Sequence, residues 1–501
     1  MRSGLALTFC GLRWRKTCER NREMTVFFAF LGNILFNFAI GLLVAKFLGP
    51  EEYGRFALAH ATAIAVQTGF FDWIRLGATR FYSERIRNEE PALRATLDYG
   101  FAVITVGLAA GAALLILSGV SFTLSNELIG LALGVAVVNG LFDYNMALVR
   151  ARFHDPLFAR LALVKNVLGL GLMGGGAFWF GSATMTLLGG IVSLGGAVVT
   201  ARAALHDPAS EPRLAQISIA RALMAYSLPI VGANLLYLSI PLANRSVVAI
   251  LYGFSETGQF SLAYDFGSKA IQAIGSALDI VLFQIAVALH ELQGAAFSRR
   301  QLSRNMTIVI AMVLPACTGL WLTLPSVEQL IVPYEFRGHF GLLLPLMMTG
   351  LFCTAIIQYA INPIFQIEKK TTPLIVAALI AVVVDPLLVL VLPRSADASS
   401  FAIAQAGAML AALVALVGFA SFSRPQWPRL RDLVVIVLGN AAMSAALLPM
   451  RENEPGFLTL ALQIAAGVAV YAVFVMGFDV AGLREITLAR LRLKAAKMTI
   501  L

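Results

Sequence analysis

LVAKFLGPEEYGRFALAHA at residues 43–61 decides the fold, because a related stretch, VVAILYGFSETGQFSLAYD, follows 204 residues later at 247–265. Eight of the nineteen aligned positions are identical without a gap, with a shared Gly–x–x–Glu–x–Gly–x–Phe spacing. Glycine allows positive φ and close backbone approach. The spacing therefore predicts a tight turn between two helices in each copy, built on Gly49, Gly54, Gly253 and Gly258.

The composition around this repeat is that of a membrane protein. Of 501 residues, 59% are hydrophobic and 13% are charged, whereas soluble domains carry about 25% charged residues. The apolar runs are about 20 residues long, the length of a membrane-spanning helix, and they lack the alternation typical of a β-barrel strand. We predict fourteen spans, at 24–48, 56–78, 98–118, 128–149, 160–181, 184–203, 224–252, 257–280, 305–325, 340–363, 372–393, 400–421, 432–450 and 456–478.

The offset between the two copies spans six predicted helices, so both copies enter the membrane in the same direction. This is typical of a parallel repeat about an axis along the membrane normal. The sequence thus predicts an all-α polytopic protein with two six-helix lobes and two further helices. The predicted divisions are a basic N-terminal arm at 1–23, lobes at 24–222 and 223–422, and a C-terminal segment at 423–501.

Basic residues cluster in alternate loops and in both tails, as expected for loops on the cytoplasmic side. They predict an inner-membrane protein with both termini in the cytoplasm. The net charge of +10 is then a signal for topology and lipid headgroups, not for nucleic acid. Met24 is either the true start or the end of a short cytosolic arm. The final stretch, 483–501, is either an amphipathic helix on the inner leaflet or a solvated basic tail.

Several kinds of chemistry have no support in the sequence. The four cysteines form no CxxC pair and the five histidines show no ligand spacing, so neither a disulfide framework nor a metal site is predicted. No Walker A motif is present, which argues against ATP as the driving force within this chain. We expect no cofactor, with coupling to a proton or sodium gradient as a hypothesis that rests on carboxylates inside the spans.

Ionisable residues at membrane depth cost roughly 2.5–3.5 kcal/mol each, so they require a partner or a wet cavity. We predict that four cations attract a diphosphate and acidic sugars, and that four carboxylates balance them or carry a coupling ion. The cations are Arg75, Lys165, Arg245 and Lys269, and the carboxylates are Asp72, Asp143, Asp265 and Asp279.

Structural interpretations of these charges remain open. Asp72 with Arg75, and Asp265 with Lys269, have the spacing of ion pairs within one helix. Lys165 could extend to the cytoplasmic interface. Arg245 has no local partner in the sequence and follows Pro241, which favours a functional role. The helices also contain Pro229, Gly232, Gly267 and Gly275, which are either bending points or packing residues.

The stretch AKFLGPEEYGRFALA at 45–59 closely resembles the opening hairpin of the polysaccharide-transport branch of the multidrug/oligosaccharidyl-lipid/polysaccharide (MOP) exporter superfamily. FFDWIRLGATRFYSE at 70–84 resembles the family's next segment, and PLANRSVVAILYGFSETGQFSLAY at 241–264 its counterpart in the second lobe. The resemblance extends from Met24 to the last span. It implies a V-shaped pair of six-helix bundles around a central cavity.

The resemblance further implies a flippase that moves an undecaprenyl-diphosphate-linked oligosaccharide from the inner to the outer leaflet. The implied partners are this lipid-linked oligosaccharide, membrane lipids and other proteins of polysaccharide biosynthesis, with a monomer as the functional unit. The alternatives are a lipid II flippase, a multidrug/cation antiporter of the same superfamily, a polysaccharide polymerase or ligase, and a non-transporting scaffold. A polymerase or ligase would need a large outer loop, and the longest predicted one, about 327–339, has no acidic or histidine cluster.

Overall fold

In a computed structural model of the chain, all regular elements among the described residues are helical. The described backbone covers residues 3–118, 123–152, 155–368, 370–393, 395–422 and 425–485. Side chains are described from residue 32 onward, except at 84, 85, 88, 115 and 155. The predicted all-α class is confirmed. The side chains of the predicted N-terminal arm, and most of the predicted C-terminal helix, lie outside the described residues.

The α-helices are α1 (Ser3–Phe81), α2 (Glu84–Glu89), α3 (Pro91–Leu117), α4 (Asn126–Ala151), α5 (Asp155–Phe180), α6 (Ala183–Leu205), α7 (Ile217–Gln293), α8 (Ala295–Leu322), α9 (Leu324–Leu330), α10 (His339–Ile356), α11 (Asn362–Ile367), α12 (Thr372–Val391), α13 (Ser399–Phe422), α14 (Leu430–Leu447) and α15 (Phe457–Gly477). A π-helical segment, Ile357–Ile361, joins α10 to α11. Short 3₁₀ turns occupy Pro212–Leu214, Tyr334–Phe336, Pro449–Glu452 and Val480–Gly482.

Twelve helices among the described residues are long and apolar enough to cross a membrane. Two of them, Gly32–Phe81 and Ile217–Gln293, contain 50 and 77 residues, and about 20 residues suffice for one pass. Each of these two is interrupted once, at Gly49 and at Gly253. Two passes for each long helix give the fourteen passes expected from the sequence. The chain is a multi-pass membrane protein.

The chain divides into two compact units. Unit 1 consists of residues 1–48 and 55–235, and unit 2 of residues 49–54 and 236–501. The sequence places the division between the lobes at 222/223, whereas the compact units separate thirteen residues later, inside α7. The turn of the first repeat copy, residues 49–54, groups with unit 2.

Unit 1 packs α3 to α6 against the second arm of α1. Its core includes Phe71, Ile74, Leu97 and Leu148, all nearly or fully buried. Helices α5 and α6 approach closely at glycine, since a Cβ at Gly189 would lie 2.5 Å from the carbonyl oxygen of Leu172. Small residues at such crossings let helices associate in lipid, where apolar surface gives no driving force.

Unit 2 contains α8 to α15 and the second arm of α7. Helices α10 and α13 also meet at a small residue, with the Cα of Ala406 2.8 Å from a Cβ placed on Gly350. The last two long helices, α14 and α15, pack on α8 through a small apolar cluster that includes Ala311, Ile436 and Val480.

Several predicted span limits change. Helix α8 begins at Ala295 and not at 305, and α7 continues to Gln293 beyond the predicted end at 280. Backbone dihedral angles stay helical through Pro229 and Pro241, and the only break in α7 is at Gly253. A proline in a membrane helix is tolerated because neighbouring groups replace its lost hydrogen bond.

Candidate functional site

Both copies of the repeat turn at the same glycine of the motif. Gly49 has φ 69° and ψ 175°, and Gly253 has φ 87° and ψ 176°. These conformations lie in a region that only glycine adopts at low cost. Each turn divides a long helix into two arms, and the polar side chains of interest lie on these arms and on their neighbours.

The second glycine of the motif has a different use. A Cβ added to Gly54 would overlap the backbone carbonyl of Phe254, and one added to Gly258 would overlap that of Pro50. The 49–54 turn and the second repeat copy, both in unit 2, therefore touch backbone to backbone through equivalent glycines. The positive φ is needed at the first glycine and the close approach at the second.

The turn at Gly253 is held by hydrogen bonds to neighbouring loops of unit 2. The Tyr252 hydroxyl donates to the carbonyl of Ser395 at 3.1 Å, and the Ala398 N–H donates to Oε1 of Glu256 at 2.9 Å. Glu256 is the glutamate of the repeat motif. Its other carboxylate oxygen lies 3.6 Å from Nδ1 of His339.

In unit 1, Asp72 and Arg75 form the intrahelical pair expected from their spacing. Arg75 donates to both carboxylate oxygens of Asp72, at 2.9 Å and 3.0 Å. The Asp72 side chain is 9% exposed and that of Arg75 is 36% exposed. The guanidinium thus makes a bidentate contact with a buried carboxylate, and part of the arginine side chain stays exposed.

Asp143 lies close to this pair in an amide network. The Gln67 side-chain amide donates through Nε2 to Oδ2 of Asp143 at 2.7 Å. Its oxygen, Oε1, accepts a hydrogen bond from Nδ2 of Asn139. The charges of Arg75 and Asp72 both act on Asp143. Unit 1 therefore brings two of the predicted carboxylates together with one predicted cation.

Lys165 has a polar environment formed by the first arm of α1. Its ammonium donates to Oδ1 of Asn37 at 3.0 Å and lies 3.4 Å from Oδ1 of Asn33. Asn166 donates to the same oxygen of Asn33 at 3.0 Å. The half-buried lysine is thus held by amides of the apolar helices.

In unit 2, Arg245 has an ion-pair partner that is distant in the sequence. This arginine is buried and contacts Oδ1 of Asp265 at 2.6 Å, with the ring of Tyr264 5.3 Å from the guanidinium carbon. The spacing of Asp265 and Lys269 also allows an ion pair within one helix, and the structure pairs Asp265 with Arg245 instead. The two arms of α7 fold back at Gly253, which brings the aspartate to an arginine twenty positions earlier.

Lys269 and Asp279 stand apart from this pair. Among the described residues, neither forms an ion pair or a hydrogen bond through its side chain. Both are partly buried on the second arm of α7. The structure therefore joins one predicted cation and one predicted carboxylate in unit 2 and leaves the other two separate.

A second polar contact in unit 2 involves residues outside the predicted set. Asn244 donates to Oδ1 of Asp385 at 3.1 Å and to Oε1 of Gln405 at 3.2 Å, and all three are buried. The sequence signal for Gln405, as for Gln67 and Asn33, is an amide inside an apolar helix. Such groups are costly in lipid without a partner, so they mark polar contacts as charges do.

The described residues contain no group of three or more His, Cys, Asp or Glu side chains able to hold a metal ion. What the arrangement offers is cationic: Arg75 and Lys165 in unit 1 and Arg245 in unit 2, each within an apolar helix and each held by a named partner. Guanidinium and ammonium groups recognise phosphate oxygens through charge-assisted hydrogen bonds.

Solved transporter structures share the fold. The lipid II flippase MurJ, in an inward closed conformation, aligns with a TM-score of 0.69 over 91% of this chain and 98% of its own, at 14% identity. A multidrug resistance MATE transporter of the MOP superfamily, facing inward, aligns with a TM-score of 0.54 over 77% and 93% at 16% identity. MATE in complex with MaL6 gives 0.51 over 79% and 93% at 15% identity.

No protein-family model matches the sequence, and no curated protein matches it. The structural likeness is therefore a likeness of fold. It confirms the expected all-α fold of about fourteen membrane passes. The chain has the fold of the MOP-superfamily transporters.

Proposed function

We propose that the protein is a flippase that moves an undecaprenyl-diphosphate-linked oligosaccharide across the bacterial inner membrane by alternating access. The observation that carries the proposal is the set of held cations, Arg75, Lys165 and Arg245, at membrane depth in a MOP transporter fold. A diphosphate with attached sugars is the kind of head group that such cations attract. The resemblance of 45–59 and 241–264 to the polysaccharide-transport branch supports the same substrate class.

The cost of these cations supports a role in transport. Each charge inside a membrane helix costs several kcal/mol unless it is compensated, and such residues mark substrate or ion pathways. The protein compensates each of the three with specific partners rather than replacing it with an apolar residue. A polar route for a head group needs such side chains, while the polyprenyl tail stays in lipid.

The driving force in this proposal is a proton or sodium gradient. Asp72 and Asp143 in unit 1 are the candidate coupling groups, because their side chains lie near each other and near Arg75. Binding of a cation at either carboxylate would change the charge that Arg75 presents to a diphosphate. We propose further that a monomer carries out the cycle and that enzymes of polysaccharide biosynthesis supply and consume its substrate.

The second candidate is a lipid II flippase, favoured by the structural likeness that covers 91% of this chain and 98% of the known flippase. Lipid II also presents a diphosphate joined to sugars, so the cations suit it equally. A multidrug/cation antiporter is less well supported, because a pocket for cationic drugs would favour carboxylates over the cations found here.

The deciding experiment is deletion of the gene followed by assay of lipid-linked saccharides in each leaflet. We expect the undecaprenyl-linked unit to accumulate facing the cytoplasm and surface polysaccharide to disappear. Accumulation of lipid II instead would select the second candidate. If the unit reaches the outer leaflet and only its polymerisation stops, the transporter proposal is wrong.

Complementation then locates the site. Arg75→Gln and Lys165→Gln should each reduce surface polysaccharide by about tenfold or more, the effect of losing about 1.4 kcal/mol of binding. Arg202→Gln is the matched control, because Arg202 is an exposed arginine in the last turn of α6. Membrane levels of each variant must match those of the wild-type protein for the comparison to count.

A further inference from the structure

A cavity of about 970 Å³ lies at one end of unit 2, away from the polar contacts described above. Its walls come from the beginning of α8, the beginning of α14 and the segment after α15. Helices α8, α14 and α15 are candidate membrane spans, so the cavity lies where apolar helices end and headgroups begin. Five arginines line it, and we call it the arginine cavity: Arg300, Arg304, Arg429, Arg431 and Arg484.

The positive charge of this cavity exceeds what its own carboxylates balance. The lining contains three acidic residues, Asp432, Asp479 and Glu485, against the five arginines. Among the described residues, none of the five forms an ion pair. The ion pairs of unit 1 show the opposite arrangement, with Arg87 and Arg152 both contacting Asp207.

Two of the arginines are positioned by backbone carbonyls. Arg304 donates through Nε to the carbonyl of Ala481 at 2.8 Å, and Arg431 donates to that of Phe478 at 3.1 Å. Each guanidinium has five N–H donors in a planar fork, so most of these donors stay available. The side chains of Arg300 and Arg429 have no hydrogen-bond partner among the described residues.

The segment that closes the cavity is locally strained. Asp479 and Ala481, each with φ 52°, are the only residues other than glycine with positive φ in the described part of the chain. Such a conformation is unfavourable for an L-residue. It is fixed by the fully buried Val480 and by the hydrogen bond from the Arg484 N–H to Oδ1 of Asp479 at 3.0 Å. The backbone carbonyl that Arg304 contacts therefore belongs to a turn whose conformation is fixed by its own contacts.

Exposed apolar side chains border the same cavity. Leu430, between Arg429 and Arg431, is 76% exposed, and Phe478 is 49% exposed. A ligand with an anionic head and an apolar tail satisfies both surfaces, since guanidinium groups bind phosphate bidentately and acyl chains cover apolar side chains.

We propose that the arginine cavity is a binding site for a phosphate-bearing anion, and that its source is the head group of an anionic phospholipid of the surrounding bilayer. A soluble phosphate compound shares the chemistry and is the other source. The site is separate from the cations assigned to transport, so it stands or falls independently of the proposed function.

The test uses the full chain purified in detergent, with binding of phosphatidylglycerol followed by native mass spectrometry and phosphatidylcholine as the neutral reference. We expect selective retention of phosphatidylglycerol. The double variant Arg300→Gln/Arg429→Gln should weaken it by about tenfold or more, since it removes two guanidinium groups that are available for charge-assisted hydrogen bonds to the phosphate. Neither residue packs in a core, so the variant should fold.

The matched control is Arg160→Gln/Arg202→Gln, which removes the same charge from two exposed arginines of unit 1. Equal weakening by the two double variants would overturn the proposal, as would absence of selectivity for phosphatidylglycerol in the wild-type protein. A parallel titration with inorganic pyrophosphate separates the sources. Displacement of the lipid by micromolar pyrophosphate would assign the cavity to a soluble phosphate compound, while retention of the lipid supports the headgroup.

Discussion

The two units each hold an ion pair in their apolar helices, with the burial reversed. In unit 1 the carboxylate is the buried partner, with Asp72 9% exposed and Arg75 36% exposed. In unit 2 the cation is the buried partner, with Arg245 6% exposed and Asp265 27% exposed. A carboxylate can lose its charge by taking up a proton, whereas a guanidinium stays charged. The buried partner in unit 2 is therefore a permanent charge.

The arginines near the helix ends also differ between the two units, in whether they have a carboxylate partner. In unit 1 three arginines have carboxylate partners: Arg87 and Arg152 share Asp207, and Arg94 contacts Asp98 at 2.8 Å. In unit 2 the arginines around the cavity have no carboxylate partner among the described residues. Arg94 lies near the start of α3 and Arg300 near the start of α8, the third helices of the two halves, and of the two only Arg94 forms an ion pair among the described residues.

The largest expected effect follows from the permanent charge. Asp265→Asn would leave Arg245 buried without its carboxylate, which should lower the free energy of unfolding by about 3–5 kcal/mol. Asp72→Asn leaves a cation that is more than one-third exposed, so we expect about 1 kcal/mol or less. Thermal unfolding of the two purified variants in the same detergent measures both. Equal destabilisation by the two variants would refute the claim that the reversed burial makes the carboxylate of unit 2 more important for stability than that of unit 1.

A smaller effect should come from the paired arginines of unit 1. Asp207→Asn removes the carboxylate that lies 3.0 Å from Arg87 and 3.7 Å from Arg152. Since hydrogen bonds to charged groups contribute about 1.5–3 kcal/mol each, we expect a loss of this size in the free energy of unfolding. Arg152 also donates to the Tyr82 hydroxyl at 2.8 Å, which keeps it in place.

The control for this change is Glu485→Gln, which removes a carboxylate from the arginine cavity where no ion pair is formed among the described residues. It should leave the unfolding temperature unchanged within error. A loss at Glu485 as large as that at Asp207 would contradict the contrast between paired and unpaired arginines.

The repeat glycines should separate by role. Gly54→Ala and Gly258→Ala place a methyl group on a backbone carbonyl, so each should cost about 1–3 kcal/mol, the usual range for overpacking. Gly253→Ala has open space around its Cβ and should cost about 1–3 kcal/mol, because φ 87° with ψ 176° is a conformation that essentially only glycine adopts. Gly232→Ala has neither constraint and should stabilise its helix by about 0.5–1 kcal/mol. Unfolding temperatures of the four variants test the order.

The sequence predicted the framework because its signals are local. Apolar runs give the spans, and glycine at the same motif position gives the turns at Gly49 and Gly253. It offered the Asp72–Arg75 ion pair as one of two interpretations, because the two residues lie one helical turn apart. It missed the partner of Arg245 because Asp265 is twenty residues away on the other arm of the hairpin. It missed the contact of Asn244 with Asp385 for the same reason, since 141 residues separate them.

The smallest expected effect compares the starts of α6 and α13, the sixth helices of the two halves. The N-cap residue of α6, Ser182, makes no side-chain hydrogen bond, whereas the Ser399 N–H in the first turn of α13 donates to Oδ1 of Asp397 at 3.0 Å. Burial alone would raise the pKa of Asp397, but hydrogen bonds from Ser399 and Ser395 and the charge of His339 together lower it. Because the folded-state pKa lies below the unfolded value of about 3.9, this carboxylate stabilises the fold above that pH.

Asp397→Asn should therefore lower the free energy of unfolding at pH 7 by about 0.5 kcal/mol, the lower end of capping effects. The difference from the wild-type protein should persist down to about pH 4 and then shrink as the pH falls through the depressed pKa, because both proteins then carry a neutral side chain there. Unfolding temperatures between pH 7 and pH 3 measure this. Glu454→Gln, in the exposed loop before α15, is the control for charge alone. The same pH dependence in the two variants would mean that the stabilisation is a general effect of charge. The hydrogen bonds to Asp397 would then give the start of α13 no stability beyond that of the uncapped start of α6.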